Sequence, residues 1–166
     1  MRATSIDSSA AEQSWLELTT RVEATQQIVG GDWEVSDTNS RKCADGSVNW
    51  CVTRLGPGVA TADRAALFDR VEVAWKAFGW HAVRTRIGGE PPGLQLRYPT
   101  GGALDDGFFV ELGSTVHGTT IGAQTPCAVG DVDELNHEQF AFNNTPVYTP
   151  TPASSPTALT PTPRTP

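Results

Sequence analysis

No stretch of about 18 consecutive apolar residues occurs in the chain, which excludes a membrane-spanning helix within it. The three cysteines, Cys43, Cys51 and Cys127, contain no C-x-x-C pair, so the usual spacing of a zinc or thiol-redox site is missing. Cations are few. Twelve Lys and Arg against 19 Asp and Glu leave a net charge of -7, which argues against a nucleic-acid partner, since phosphate backbones need clustered Lys and Arg. The acidity is spread along the chain and reads as a source of solubility. Met1-Arg2-Ala3-Thr4 leads into polar residues with no apolar signal segment. The expectation is a cytoplasmic protein or a chain that starts downstream of an export signal. No internal repeat is visible.

What is present fits one domain of ordinary make-up: 166 residues, 38% hydrophobic, with 16 glycines. The C-terminus changes character. Residues 145–166 hold seven Pro and seven Thr, and apolar side chains are too few there to offset the entropy of ordering. The segment reads as a disordered, polyproline-like tail, a spacer or a glycosylated stalk. Asn143-Asn144-Thr145 matches an acceptor sequon at its start. Residues 1–8 read as a flexible lead-in, which leaves 9–144 as the folded unit.

Within that unit Trp15, Leu18, Val22 and Val29 recur at helical spacing, with Thr25 on the same face. The helix runs from Ser9, four residues of capping-box pattern with Glu12, to Gly30-Gly31. Trp33-Glu34-Val35 and Val48 to Val52 alternate as strands around Asp45-Gly46, a hairpin-turn dipeptide. A second helix spans Ala62 to Phe78, with Leu67, Val71, Trp75 and Phe78 in one stripe. Four strands follow: Trp80–Ile87, one around Leu94, Leu96 and Tyr98, one around Phe108, Val110 and Leu112, and a return from Val116 to Ile121 after a turn at Gly113-Ser114. Asp131 to Leu135 reads as a short helical turn. With no helix between the later strands, they must pair antiparallel. The expected fold is α+β: two layers, a mostly antiparallel sheet of five to six strands, and two helices packed on one face.

Chemistry is sparse. A two-residue turn at Asp45-Gly46 sets Cys43 opposite Val48, on an apolar face with Trp33, Val35, Trp50 and Val52. It sets Cys51 on the other face with Asn49 and Thr53. Cys43 could then meet Cys127, whereas a Cys43–Cys51 bond is poorly placed. A three-residue loop reverses that parity, and three buried reduced thiols are the competing reading. His81, His117 and His137 are dispersed, with His117 placed in a strand. Asp105-Asp106-Gly107 reads as a turn. Ser114 lacks a nucleophile-elbow context. Gly88-Gly89 and Gly101-Gly102 lack the lysine and helix of a phosphate loop. Arg84, Arg86 and Arg97 could gather on neighbouring strands, as a solvated face or an anion site. Four tryptophans fall on core faces, and Trp80 is left as a candidate surface contact. No catalytic residue, metal ligand or cofactor site is assigned.

Gly30-Gly31-Asp32-Trp33 after an amphipathic helix, a cysteine ten residues on, Phe78-Gly79-Trp80 and Thr125-Pro126-Cys127 together resemble small envelope lipoproteins of high-GC Gram-positive bacteria, the LppA-like mycobacterial group. The resemblance covers residues 9 to 130. It implies export, a lipid-anchored or secreted life, a Cys43–Cys127 disulfide and no enzyme activity. Ten Arg against two Lys fits a GC-rich genome. The chain departs from that group in having no lipobox cysteine and in carrying an extra thiol, Cys51, so membrane association would need an anchor beyond these residues. The expected role is a non-enzymatic envelope domain with a binding or structural function. The alternative is an immunity or inhibitor protein whose acidity suits a basic enzyme or toxin.

Overall fold

Ser9–Val29 forms helix α1, as the apolar spacing requires: Ala11, Trp15, Leu18, Val22 and Thr25 are all buried on one side. This computed structural model describes residues 5–88, 92–101 and 107–144. The expected tail, the Asp105-Asp106 turn and residues 89–91 of the Gly88–Gly93 loop lie outside those residues. Gly30 ends α1 at φ 80°, its amide donating to the Gln26 carbonyl at 2.8 Å. The start differs from the expected capping box. Ser8 is the N-cap residue and its side chain makes no capping bond, while the Asp7 carboxylate accepts the Ser9 amide at 3.0 Å. The Ser8 hydroxyl is taken up at long range: it donates to Glu134 and accepts from the Asp131 amide, both at 2.9 Å.

Four short strands follow, β1 (Glu34–Val35), β2 (Arg41–Lys42), β3 (Val48–Asn49) and β4 (Cys51–Gly56). Helix α2 spans Thr61–Ala77, and then come β5 (Val83–Ile87), β6 (Gly93–Tyr98), β7 (Phe109–Ser114) and β8 (Thr119–Gln124). Helix α3 (Val132–Asn144) closes the domain. The main sheet has the order β1-β4-β8-β7-β6-β5 with every pair antiparallel, and β2 and β3 form a separate two-stranded sheet. The protein is thus an α+β fold, with three helices rather than two. The expected turn at Asp131–Leu135 is the first part of a 13-residue helix.

Several strand boundaries move from their expected places: β5 starts at Val83 rather than Trp80, and the run from Val48 divides at Trp50 into β3 and β4. Gly113 and Ser114 continue β7, and the reversal is made by Thr115–Gly118. There Thr115 donates its amide to the Gly118 carbonyl at 2.9 Å, and its hydroxyl accepts the His117 amide at 3.1 Å. β8 therefore starts at Thr119, and His117 sits in a turn rather than a strand. In the first hairpin Lys42 faces Val48, and the Cys43 amide donates to the Ser47 carbonyl. The loop thus has three residues, Ala44 to Gly46, with Gly46 at φ 83°. The expected two-residue register is off by one. Val35 pairs with Arg54 and so keeps to the helix-side face, but β1 is an edge strand and leaves it 56% exposed.

Val52, Leu96, Val110, Leu112, Ile121 and Ala123 line one sheet face and are buried against the helices. The helices are pinned to one another and to the sheet by indole N–H groups. Trp75 donates to Thr25 at 3.0 Å, joining α2 to α1, and Trp50 donates to Gln139 of α3 at 2.8 Å. Trp15 packs on Trp50 with ring centroids 4.9 Å apart. Trp80, read as a surface contact, is instead buried, ringed by Trp75, Phe78 and Phe108. Trp33 is the half-buried one, lying over Gly56, where a Cβ would approach its ring to 2.6 Å.

Candidate functional site

Strand alternation gives the main sheet two unlike faces. Leu96, Leu112, Ile121 and Arg54 stand in one row across β6, β7, β8 and β4, under the helices. The intervening residues form the other face, where Gln95, Gly113, Thr120 and Leu55 make one row, and Arg97, Glu111, Gly122 and Thr53 the next. At its centre lies a trough of about 470 Å³ lined by Gln95, Glu111, Gly113, His117, Thr120 and Gly122 among others. Its floor is the backbone of two mid-strand glycines, one on β7 and one on β8. Its charged wall is an ion pair: Arg97 donates to Glu111 at 2.6 Å while lying 5.1 Å from the Phe109 ring centre. The trough offers hydrogen-bonding groups around bare main chain, a surface suited to holding a ligand.

The arginines considered at the outset do not gather. Arg84 faces Leu96 across the β5–β6 ladder and so points to the helix side, where it donates to Glu72 at 2.9 Å and Asp69 at 2.7 Å. Arg97 faces Val83 and points to the open side. Arg86 is exposed on β5. An anion site built from all three is therefore ruled out by strand parity.

Cys43 and Cys127 are joined, with Cα atoms 6.3 Å apart. The juxtaposition comes from a bridge: Val48 and Ala128 exchange both backbone hydrogen bonds, at 2.8 and 2.9 Å, which lays the chain after β8 alongside the first hairpin. Cys51 is a free thiol on the open side. Arg41 donates both to its sulfur and to Gln124, each at 3.0 Å, and Gln124 donates onward to the Gly107 carbonyl.

Ser114 is fully buried on the helix side, 2.9 Å from the Thr119 hydroxyl. His81, before β5, His117, in the turn between β7 and β8, and His137, on α3, are all exposed and lie on separate parts of the chain. Among the described residues no group of three or more His, Cys, Asp or Glu side chains could hold a metal ion. A second polar feature lies beneath the sheet. Asp37 accepts from Arg54 and from the Thr53 amide, and both charged side chains are buried. Burial pushes the Asp37 carboxyl up, with the Arg54 charge and the Thr53 amide pulling it back. At the α1–α3 contact, burial and then the neighbouring Glu12 and Glu134 charges raise Glu138.

The trough escapes the sequence because Gly113-Ser114 reads as a turn. The signal that could have found it is a glycine on the polar side of an alternating run, at Gly113 and again at Gly122.

No family model and no curated protein matches this chain. Among solved structures it is similar to a DUF4853 family protein from Actinomyces odontolyticus, at 16% identity with a TM-score of 0.43, over 81% of this chain and 75% of that one. A likeness at that level carries no argument about function.

Proposed function

We propose that this chain is an exported, non-catalytic domain of the cell envelope, as the LppA-like resemblance implies, and that its task is binding. The observation that carries the reading is the Cys43–Cys127 bond, because disulfides persist in oxidising compartments and are rare where glutathione and thioredoxin keep thiols reduced. The trough on the open face supports the binding part, since it gathers polar groups without a nucleophile paired to a base among the residues described above. A lipid anchor belongs to the same proposal and would have to come from outside these residues.

The test is to trap thiols with an alkylating reagent in intact producing cells, then fractionate and map peptides without reduction. The expected result is a Cys43–Cys127 peptide and alkylated Cys51, recovered with the envelope or the medium. A cytosolic protein with all three cysteines alkylated would overturn the reading. The net charge of -7 favours the competing role, a docking protein for a basic enzyme or toxin. That reading requires a salt-sensitive complex with a basic partner, recoverable at low ionic strength.

A further inference from the structure

The geometry points to the open-face trough as a binding site for an uncharged, hydroxyl-rich ligand, that is, a saccharide; the assignment rests on the binding role proposed above. The first ground is size. At about 470 Å³ the trough falls within the roughly 300–1,000 Å³ of small-molecule sites.

The second ground is that the fold has no need of glycine on its floor. Neither Gly113 nor Gly122 has a positive φ. A Cβ on Gly113 would lie 3.7 Å from the Ile87 Cδ1 atom, and one on Gly122 would lie 3.9 Å from the Phe109 ring, both ordinary contacts. Gly93 on the next strand is different, because a Cβ there would stand 2.6 Å from the Ser114 carbonyl oxygen. Mid-strand glycine weakens a sheet, so the two floor positions cost stability and leave open a space that a side chain would fill.

The third ground is the character of the rim. Glu111 is already paired with Arg97. An anionic ligand would meet that carboxylate, and a cationic one would compete with the guanidinium. Among the described residues the Gln95 oxygen accepts from Thr85, while the Gln95 amide NH₂ and the Thr120 hydroxyl have no partner within the protein. A sugar hydroxyl both donates and accepts, and the C–H face of a sugar ring can rest on bare main chain and on Ile87. An extended peptide is disfavoured, because β7 and β8 are paired on both sides and have no free edge to extend.

The experiment uses the whole chain, labelled with nitrogen-15, and a panel of uncharged trisaccharides. An acidic trisaccharide serves as a control, and insoluble polymers of the same sugars show whether a free oligosaccharide or an extended glycan is preferred. The expected result is saturable movement of the Gly113, Thr120 and Gly122 amide signals with at least one uncharged sugar, weaker with the acidic one. Gly113→Val should lower that affinity by about tenfold or more, since its isopropyl group would fill part of a fitted site, without lowering the melting temperature. Gln95→Ala, an exposed-face change that leaves the core untouched, should weaken it as well. No saturable shift up to about 10 mM sugar, an affinity weaker than about 3 kcal/mol, would overturn the assignment. So would tighter binding of the acidic sugar, or affinity unchanged in both variants. Those failures leave the export reading to be judged by the location of the protein and the state of its cysteines.

Discussion

Arg54 and Asp37 meet beneath the sheet with side-chain exposures of 3% and 1%, a charge pair withdrawn from water at the margin where β1 joins β4. One oxygen of Asp37 takes both the guanidinium and the Thr53 amide, and the other has no hydrogen-bond partner among the described residues. Removing only the cation leaves a buried carboxylate uncompensated. Arg54→Met should therefore cost about 3–5 kcal/mol, while the double change with Asp37→Asn should recover more than half of that. Urea denaturation of both single variants and the double variant at neutral pH measures this, and a double loss equal to the sum of the two single losses would show that the pair is not coupled.

Glu138 makes stability depend on pH. Its carboxyl is raised by burial and by Glu12 and Glu134, so the folded chain binds its proton more firmly than the unfolded chain does. The stabilising contribution is complete below the ordinary carboxylate value and is lost as pH climbs through the raised one. Glu138→Gln should raise the melting temperature at pH 7 and change it little near pH 4. Thermal unfolding at the two pH values provides the check, and a variant less stable at pH 7 would reverse the sign argued here.

The disulfide spans 84 residues in sequence, and closing a loop of that length contributes roughly 4–5 kcal/mol on the chain-entropy account. Reduction should lower the melting temperature by roughly 10–20 °C for a domain of this size. Cys51→Ser should change it little, because Cys51 forms no cross-link. Calorimetry with and without reductant, beside a non-reducing peptide map, tests both halves.

Gly58 is a glycine the fold cannot replace. A Cβ there would lie 2.0 Å from the Val116 carbonyl oxygen, in the turn that joins β7 to β8. Gly58→Ala must push the two backbones apart, at a cost of roughly 1–3 kcal/mol. Circular dichroism melts of this variant beside Gly113→Ala should show a clear loss in the first and little in the second.

The helices α1 and α2 were legible because each buries a stripe at helical spacing, from Ala11 to Thr25 and from Leu67 to Trp75. Helix α3 was not, because only Leu135 and Gln139 are buried along it and Phe140 points outward at 70% exposure, so no stripe marks it. Strand positions followed from alternation, but the pairing of β4 with β8 joins residues about seventy apart, and nothing local encodes it. The first hairpin turned on a single residue of loop length, which parity cannot supply. Trp80 read as a candidate surface contact, yet the nearby Trp75 and Phe78 and the remote Phe108 close their rings around it, a grouping no single stripe shows. The trough was hidden for a related reason: glycine is read locally as a turn, and its meaning changes only when two neighbouring strands place Gly113 and Gly122 on one face.

The Cys43–Cys127 bond also divides the chain by how it would respond to pulling. Tension applied at the two ends passes through the sulfur bridge and bypasses everything between, so α2 and strands β3 to β8 carry no load along their own backbone. Only the parts outside, α1 with β1 and β2 on one side and α3 on the other, can be drawn out. The loop between the two cysteines, whose sequence separation is 84, holds back roughly 290 Å of contour length. A molecule stretched between two anchoring points would thus shed its first and last helices while the open face of the sheet stayed stapled. Cleaving that one bond would release the remainder.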